Sequence, residues 1–141
     1  MDKYIDYLHP IGRILLVNIF FLDGIHKISN YDGVTGWMAV YGVPEISLPF
    51  VITFEIVGAV AIAIGWRVKL FSIMFSVFCI LTALIFHNDF SNGMEKIIFM
   101  KNISMAGGFL IIFLNGGGAF CLDNLKRDQE LTPTTVEDNV P

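Results

Sequence analysis

The feature that most constrains this chain is the uncharged segment LFSIMFSVFCILTALIF at residues 70–86, matched by a second uncharged run near residues 103–121. A helix needs roughly 20 mostly apolar residues to cross about 30 Å of hydrocarbon. Two further stretches meet that need while carrying polar groups. Residues 48–66 hold one carboxylate, Glu55, and residues 11–28 hold Arg13 near the start and Asp23, His26 and Lys27 in the last turns. Inside a bilayer no water reaches the backbone, so each stretch must satisfy its own hydrogen bonds as a helix. The alternation of a membrane β-barrel is absent. The expectation is an all-α integral membrane four-helix bundle, with spans at about 11–28, 48–66, 70–87 and 103–121.

Composition agrees. Over 141 residues, 55% are hydrophobic and 16% charged, which suits one domain immersed in lipid. The net charge of −4 says little about the folded body, because Asp123, Asp128, Glu130, Glu137 and Asp138 lie at or near a polar C-terminal stretch. Residues 126–141 contain Pro133 and Pro141 and offer nothing to bury, so a disordered tail is expected after a domain of residues 1–125. No basic patch points to nucleic acid. Cys79 and Cys121 are far apart and form no C-x-x-C, which gives a disulfide framework little support. No cleavable signal peptide is expected, since the first residues are polar and no small-residue cleavage site closes the first apolar run.

Between the first two spans, Tyr31, Trp37 and Tyr41 precede Gly42-Val43-Pro44. Aromatic side chains favour the headgroup zone, so residues 34–41 read as a short interfacial helix in the first outer loop. A tight turn through Arg67 and Lys69 joins spans two and three, and residues 88–95 form the third loop. Lys3, Arg13, Arg67, Lys69, Lys126 and Arg127 then share one side of the membrane; Lys27, Lys96 and Lys101 share the other. The excess of cations on the first side predicts cytoplasmic N- and C-termini. Arg13 and Lys27 are expected to reach the interfaces by snorkelling.

In that orientation the ionisable groups converge on the outer leaflet. Asp23, His26 and Lys27 end the first span. Glu55 lies about two turns, or ~10 Å, into the second. His87 ends the third, and Lys101 with Asn102 is expected to open the fourth. A charged side chain at the bilayer centre costs about 2.5–3.5 kcal/mol on insertion scales, so Glu55 must be protonated, face water, or pair with Lys27 or Lys101. Asp23 and Lys27, four residues apart, can pair along one helix face. Gly58, Ala59 and Ile62 share the side of Glu55 and let another helix approach. Ser72, Ser76, Cys79, Ala83 and His87 form a small, weakly polar stripe expected to line the way into a pocket.

Plainer readings stand beside the functional ones. Glu55 can be a buried ion pair that fixes packing. His87 can bond a helix C-terminus. Lys101 can neutralise Glu55, or bind an anion with Asn102. No metal is expected, because His87 lacks ligand partners at close spacing. The glycines at 116–118 read as a helix end rather than a phosphate loop.

Phe21-x-x-Gly24-x-x-Lys27, Gly42-Val43-Pro44, Glu55 early in the second span, Gly65 and Arg67 closing it, His87 ending the third and Lys101-Asn102 opening the fourth together resemble the DoxX family of small bacterial membrane proteins. The resemblance covers roughly residues 11–123. It implies a four-helix bundle in the bacterial inner membrane and a link to redox enzymes, since relatives include the membrane subunit of a thiosulfate:quinone oxidoreductase. On that basis Glu55 and His87 are candidate catalytic residues, and Lys27, Lys101, Asn102 and His26 candidate quinone-binding residues. Asp23 and Arg67 are candidate structural polar groups. The chain itself has no nucleotide motif and no haem-ligand pair, so a soluble or membrane redox partner, or a quinone, would supply the electron chemistry. A non-catalytic scaffold and a small-molecule transporter, the latter needing homo-oligomers to build a pathway, remain the alternatives.

Overall fold

The computed structural model describes residues 2–118 and 120–124, so the tail expected at 126–141 lies outside the described residues. The principal elements are α1 (Asp2–Ser29), α2 (Tyr31–Val40), a 3-10 turn (Glu45–Ser47), α3 (Leu48–Ile64), α4 (Val68–Phe86) and α5 (Gly93–Asn115). No strand occurs among the described residues. Helices α1, α4 and α5, and α3 together with the 3-10 turn before it, are each long and apolar enough to cross a membrane. Their outward faces carry large apolar side chains, with Leu15, Phe50 and Leu114 each more than 70% exposed. Four such faces on one small bundle are faces for lipid, and the protein is a multi-pass, all-α membrane protein.

Helix boundaries depart from the sequence expectation where local signals compete with hydropathy. Helix α5 begins at Gly93 rather than residue 103, and ends at Asn115 rather than 121. Asn92 caps it, its side chain accepting from the Met94 N–H at 3.0 Å, and Glu95 sits in the first turn where the helix dipole favours an acid. Those early charges lowered the apparent hydropathy. Lys101 and Asn102 therefore lie two turns inside α5 instead of opening it. Helix α1 starts well before residue 11 and continues through Pro10. The carbonyl that proline leaves unpaired belongs to Asp6, which is exposed and lies before the apolar run. Helix α2 starts three residues earlier than expected, directly after Asn30.

The bundle packs as two antiparallel pairs, α1 with α3 and α4 with α5. Val17, Phe20, Ala59, Ile62, Phe75, Cys79, Ala106 and Phe109 form the shared core. Phe75 is its hub: its ring stacks on Phe109 at 5.1 Å and meets Phe20 at 4.7 Å and Phe54 at 4.5 Å. A Cβ on Gly58 would sit 2.7 Å from the Phe75 ring, so only glycine lets α3 lie this close to α4.

The end of the bundle near residues 115–124, the tail end, is closed by polar contacts. Arg13 is 3% exposed and does not snorkel. Its guanidinium donates to the carbonyls of Gly117 at 2.8 Å and Phe120 at 2.9 Å. The Cys121 thiol donates to the Gly65 carbonyl. Asp123 accepts from the N–H groups of Arg67 and Val68, capping α4 from a distant part of the chain. Gly65 takes a φ of +83° to end α3, and a Cβ there would lie 2.6 Å from the Cys121 backbone.

Candidate functional site

At the opposite end, the cavity end, Gly24 brings α1 and α3 together. A Cβ at that position would lie 2.7 Å from Ile56 and 3.5 Å from the Glu55 side chain. With the backbones this close, Lys27 reaches across to Glu55. Its Nζ lies 2.8 and 2.7 Å from the two carboxylate oxygens and also donates to Asp23 one turn back on α1. Glu55 is 1% exposed, whereas the Asp23 side chain is half exposed. Of the two cations proposed for Glu55, Lys27 is the partner. An ammonium has three protons, and three carboxylate oxygens stand within hydrogen-bond reach of this one. Lys27 is thus held by acids from two helices.

His87, the C-terminal cap of α4, meets α5. Its Nδ1 lies 2.6 Å from Glu95 Oε2. Sequence reasoning missed Glu95, because the third loop was drawn through it; with α5 starting at Gly93, the short loop brings its first turn beside the end of α4. His87 is also 6.1 Å from Trp37, which stacks on Phe86 at 4.5 Å. Tyr41 packs edge-on against both Trp37 and Phe86. Met38, on the same helix, is buried against Leu48 and Ile52 of α3. Helix α2 therefore bridges the start of α3 and the end of α4 as a short aromatic strap.

Beneath it lies a cavity of about 810 Å³. Apolar side chains such as Ile19, Phe20, Phe78 and Met105 make most of its wall. The polar lining is Asp23, His26 and Lys27 of α1, Ser47 of the 3-10 turn, Glu55 of α3, Thr82 of α4 with His87 capping it, and Lys101 and Asn102 of α5. The candidate site residues Asp23, His26, Lys27, Glu55, His87, Lys101 and Asn102 all reach this wall; Arg67 does not, standing at the tail end with its guanidinium 5.7 Å from the Trp66 ring centre. Lys101 is exposed at the wall and forms no ion pair among the described residues. Asn102 is buried, and its amide donates to the Ile98 carbonyl at 3.1 Å.

The small stripe on α4 does not line this space. Ser72, Ser76, Cys79 and Ala83 are buried in helix packing, and Ser76 donates to the Ala106 carbonyl on α5. The cavity wall is the neighbouring face of α4, with Phe78, Leu81, Thr82, Ile85 and Phe86. Among the described residues, no three His, Cys, Asp or Glu side chains come together as a metal site.

These features have counterparts in known proteins. The chain is 37% identical to the inner membrane protein YqjF of Escherichia coli K12, over 89% of its own length and 96% of that protein. It is 34% identical to inner membrane protein YphA of the same organism, over 80% and 86% of the two chains. A more distant similarity, 28% identity, links 89% of the chain to 36% of the ER-derived vesicles protein ERV29 of Saccharomyces cerevisiae. No solved structure matches. The DoxX family model matches residues 9–88, more than half of the chain and the part that carries Asp23, Lys27, Glu55 and His87, so the chain belongs to the DoxX family.

Proposed function

We propose that the protein is an inner-membrane subunit of a quinone-linked oxidoreductase system, its cavity receiving the quinone head while a partner protein delivers the electrons. The observation that carries this reading is the cavity itself. A purely structural polar cluster would pair off and close, whereas here a space of about 810 Å³ remains, within the usual range of ligand pockets. Its wall is apolar with a few convergent polar groups, which suits a ring bearing two carbonyls and an apolar tail. Lys101 and Asn102 are placed to donate to a carbonyl oxygen. The His87–Glu95 pair holds an exchangeable proton beside the cavity, so it can return protons to a head that has gained electrons. Glu55, with both oxygens on Lys27, acts by fixing α1 against α3. The excess of Lys and Arg toward the termini supports cytoplasmic ends, which sets the cavity in the outer leaflet.

A second reading draws support from the saturated Lys27 triad: a scaffold whose ion pairs only hold helices together. Turnover separates the two. The complex with its native partner is purified with His87→Ala, Lys101→Gln or the distant control Asn115→Ala, and quinone-dependent turnover is measured. The proposal expects a large loss in the first two and none in the control. Equal turnover in all three, with the partner still bound, would leave the scaffold.

A further inference from the structure

The two helix pairs are not held equally along their length. In the tail-end half, side chains fill the space between α1 and α5: Leu16 faces Gly108 and the Phe20 and Phe109 rings lie 5.6 Å apart, while Arg13 bonds the Gly117 carbonyl just past the end of α5. Backbone contact between these two helices is sparse over their whole length, so side chains alone close the space between them. Toward the cavity end, Leu22 and His26 of α1 and Lys101 of α5 are both exposed and part of the cavity wall, with Ile98 and Met105 beside them. The other side of the cleft, between α3 and α4, is strapped by α2 through the Trp37–Phe86 stack. Among the described residues, the aromatic pair that bridges α1 and α5 is Phe20–Phe109, more than a turn from His26 and Lys101 along their helices.

The donors and acceptors are also unequal. The two carboxylates of the cavity wall, Asp23 and Glu55, already accept from Lys27, and nearby Glu95 is paired with His87. Lys101 stands at the gap without an ion pair, and Asn102 keeps an N–H beyond the one given to Ile98. What the site has left to offer is donation and positive charge.

We infer that the gap between the cavity-end halves of α1 and α5 is a lateral opening to the bilayer, admitting an amphiphile with an apolar tail and an acceptor head, and that Lys101 selects that head. This rests on the cavity being a ligand site, and it adds the route and the head-group chemistry. A ligand dissolved in lipid never crosses water on this path, so its tail costs nothing to desolvate. A carboxylate, phosphate or polarised carbonyl gains from Lys101, whereas a cationic head meets a like charge.

The test labels Thr82→Cys, a half-buried cavity position, in lipid nanodiscs with a dodecyl maleimide and with a sulfonated, water-soluble maleimide. The modified peptide is identified by mass, so that reaction at Cys79 or Cys121 is scored separately. The lipid-dissolved reagent should react at least about tenfold faster, because its tail concentrates it in the bilayer. Leu22→Trp and Ile98→Trp should each slow it several-fold, while Leu84→Trp, exposed but off the cavity, should not. Faster reaction of the water-soluble reagent, or indifference to both blocking variants, would overturn the lateral route. Between dodecyl maleimides ending in a carboxylate or a trimethylammonium at the reactive head, the anionic one should win, and Lys101→Gln should erase its lead. No lead in the parent protein would overturn the role of Lys101. Labelling needs neither a redox partner nor turnover, so the route can fail while quinone chemistry stands, and the reverse.

Discussion

The two ends of this bundle solve one problem differently. At the tail end, Arg13 bonds two carbonyls, Cys121 a third, and Asp123 two N–H groups, and the helices close on them. At the cavity end, the polar groups are as numerous, but Lys101 and Asn102 are not fully engaged, and the helix pairs stand apart around open space. Polar groups in lipid are costly unless paired. An end that pairs nearly all of them, leaving only Arg13 Nε and Ser72 Oγ without a partner among the described residues, is a fastening. An end that leaves donors facing a cavity has room for something else to complete the pairing. Stability should therefore respond to the tail end and to the Lys27 triad, and binding to the remaining cavity groups.

The largest loss is expected where a buried charge is stranded. Lys27→Met leaves Glu55 without its cation and should cost about 3–5 kcal/mol in denaturant unfolding from detergent micelles. Glu55→Lys should be at least as severe, since it sets a second ammonium against Lys27. Glu55→Gln should be far milder, because the amide oxygen still accepts from Lys27 while Asp23 keeps the charge paired. If all three cost the same, the triad is not an electrostatic fastening.

Arg13→Met comes next. It leaves the Gly117 and Phe120 carbonyls without their donor, for a loss of about 2–4 kcal/mol, with ligand affinity unchanged at temperatures where the protein stays folded. A drop in affinity of the folded variant would mean that the two ends are coupled. Gly58→Ala should cost about 1–3 kcal/mol by driving a methyl group into the Phe75 ring. Compensation by Phe75→Leu in a double-mutant cycle would confirm the cause. The smallest of these effects belongs to Asp123→Ala, which uncaps α4 for about 0.5–2 kcal/mol.

How legible was all this in the sequence? The four spans and the convergence of Asp23, Lys27, Glu55, His87, Lys101 and Asn102 were readable, because apolar length and helical depth are arithmetic on the chain. The start of α5 was not. Its Asn92 cap and first-turn Glu95 are good helix signals, but they are polar, and hydropathy counts them as loop. The fate of Arg13 was hidden for another reason. Snorkelling is the default for a cation near a span end. Only a three-dimensional return of Gly117 and Phe120 to the side of α1 offers it carbonyls instead. Glycines at 116–118, read as a helix end, were the available hint that free carbonyls would lie there. The stripe from Ser76 to Ala83 was found correctly as a face and assigned to the wrong neighbour, since periodicity gives a face but not what it packs against.

The central claim, that the cavity end takes a ligand, is tested most directly at Trp37, which sits in the cavity wall on Phe86. In Trp66→Phe protein it is the single tryptophan of the chain. Its fluorescence is followed in nanodiscs during titration with a short-tailed quinone, beside the same protein carrying Lys101→Gln, a change expected to alter unfolding stability by less than about 0.5 kcal/mol. The account predicts saturable quenching in the first protein and at least about a tenfold weaker midpoint in the second, the loss of one charge-assisted hydrogen bond. Linear, unsaturable quenching that is identical in both would contradict it, and would leave the cavity as a space between helices.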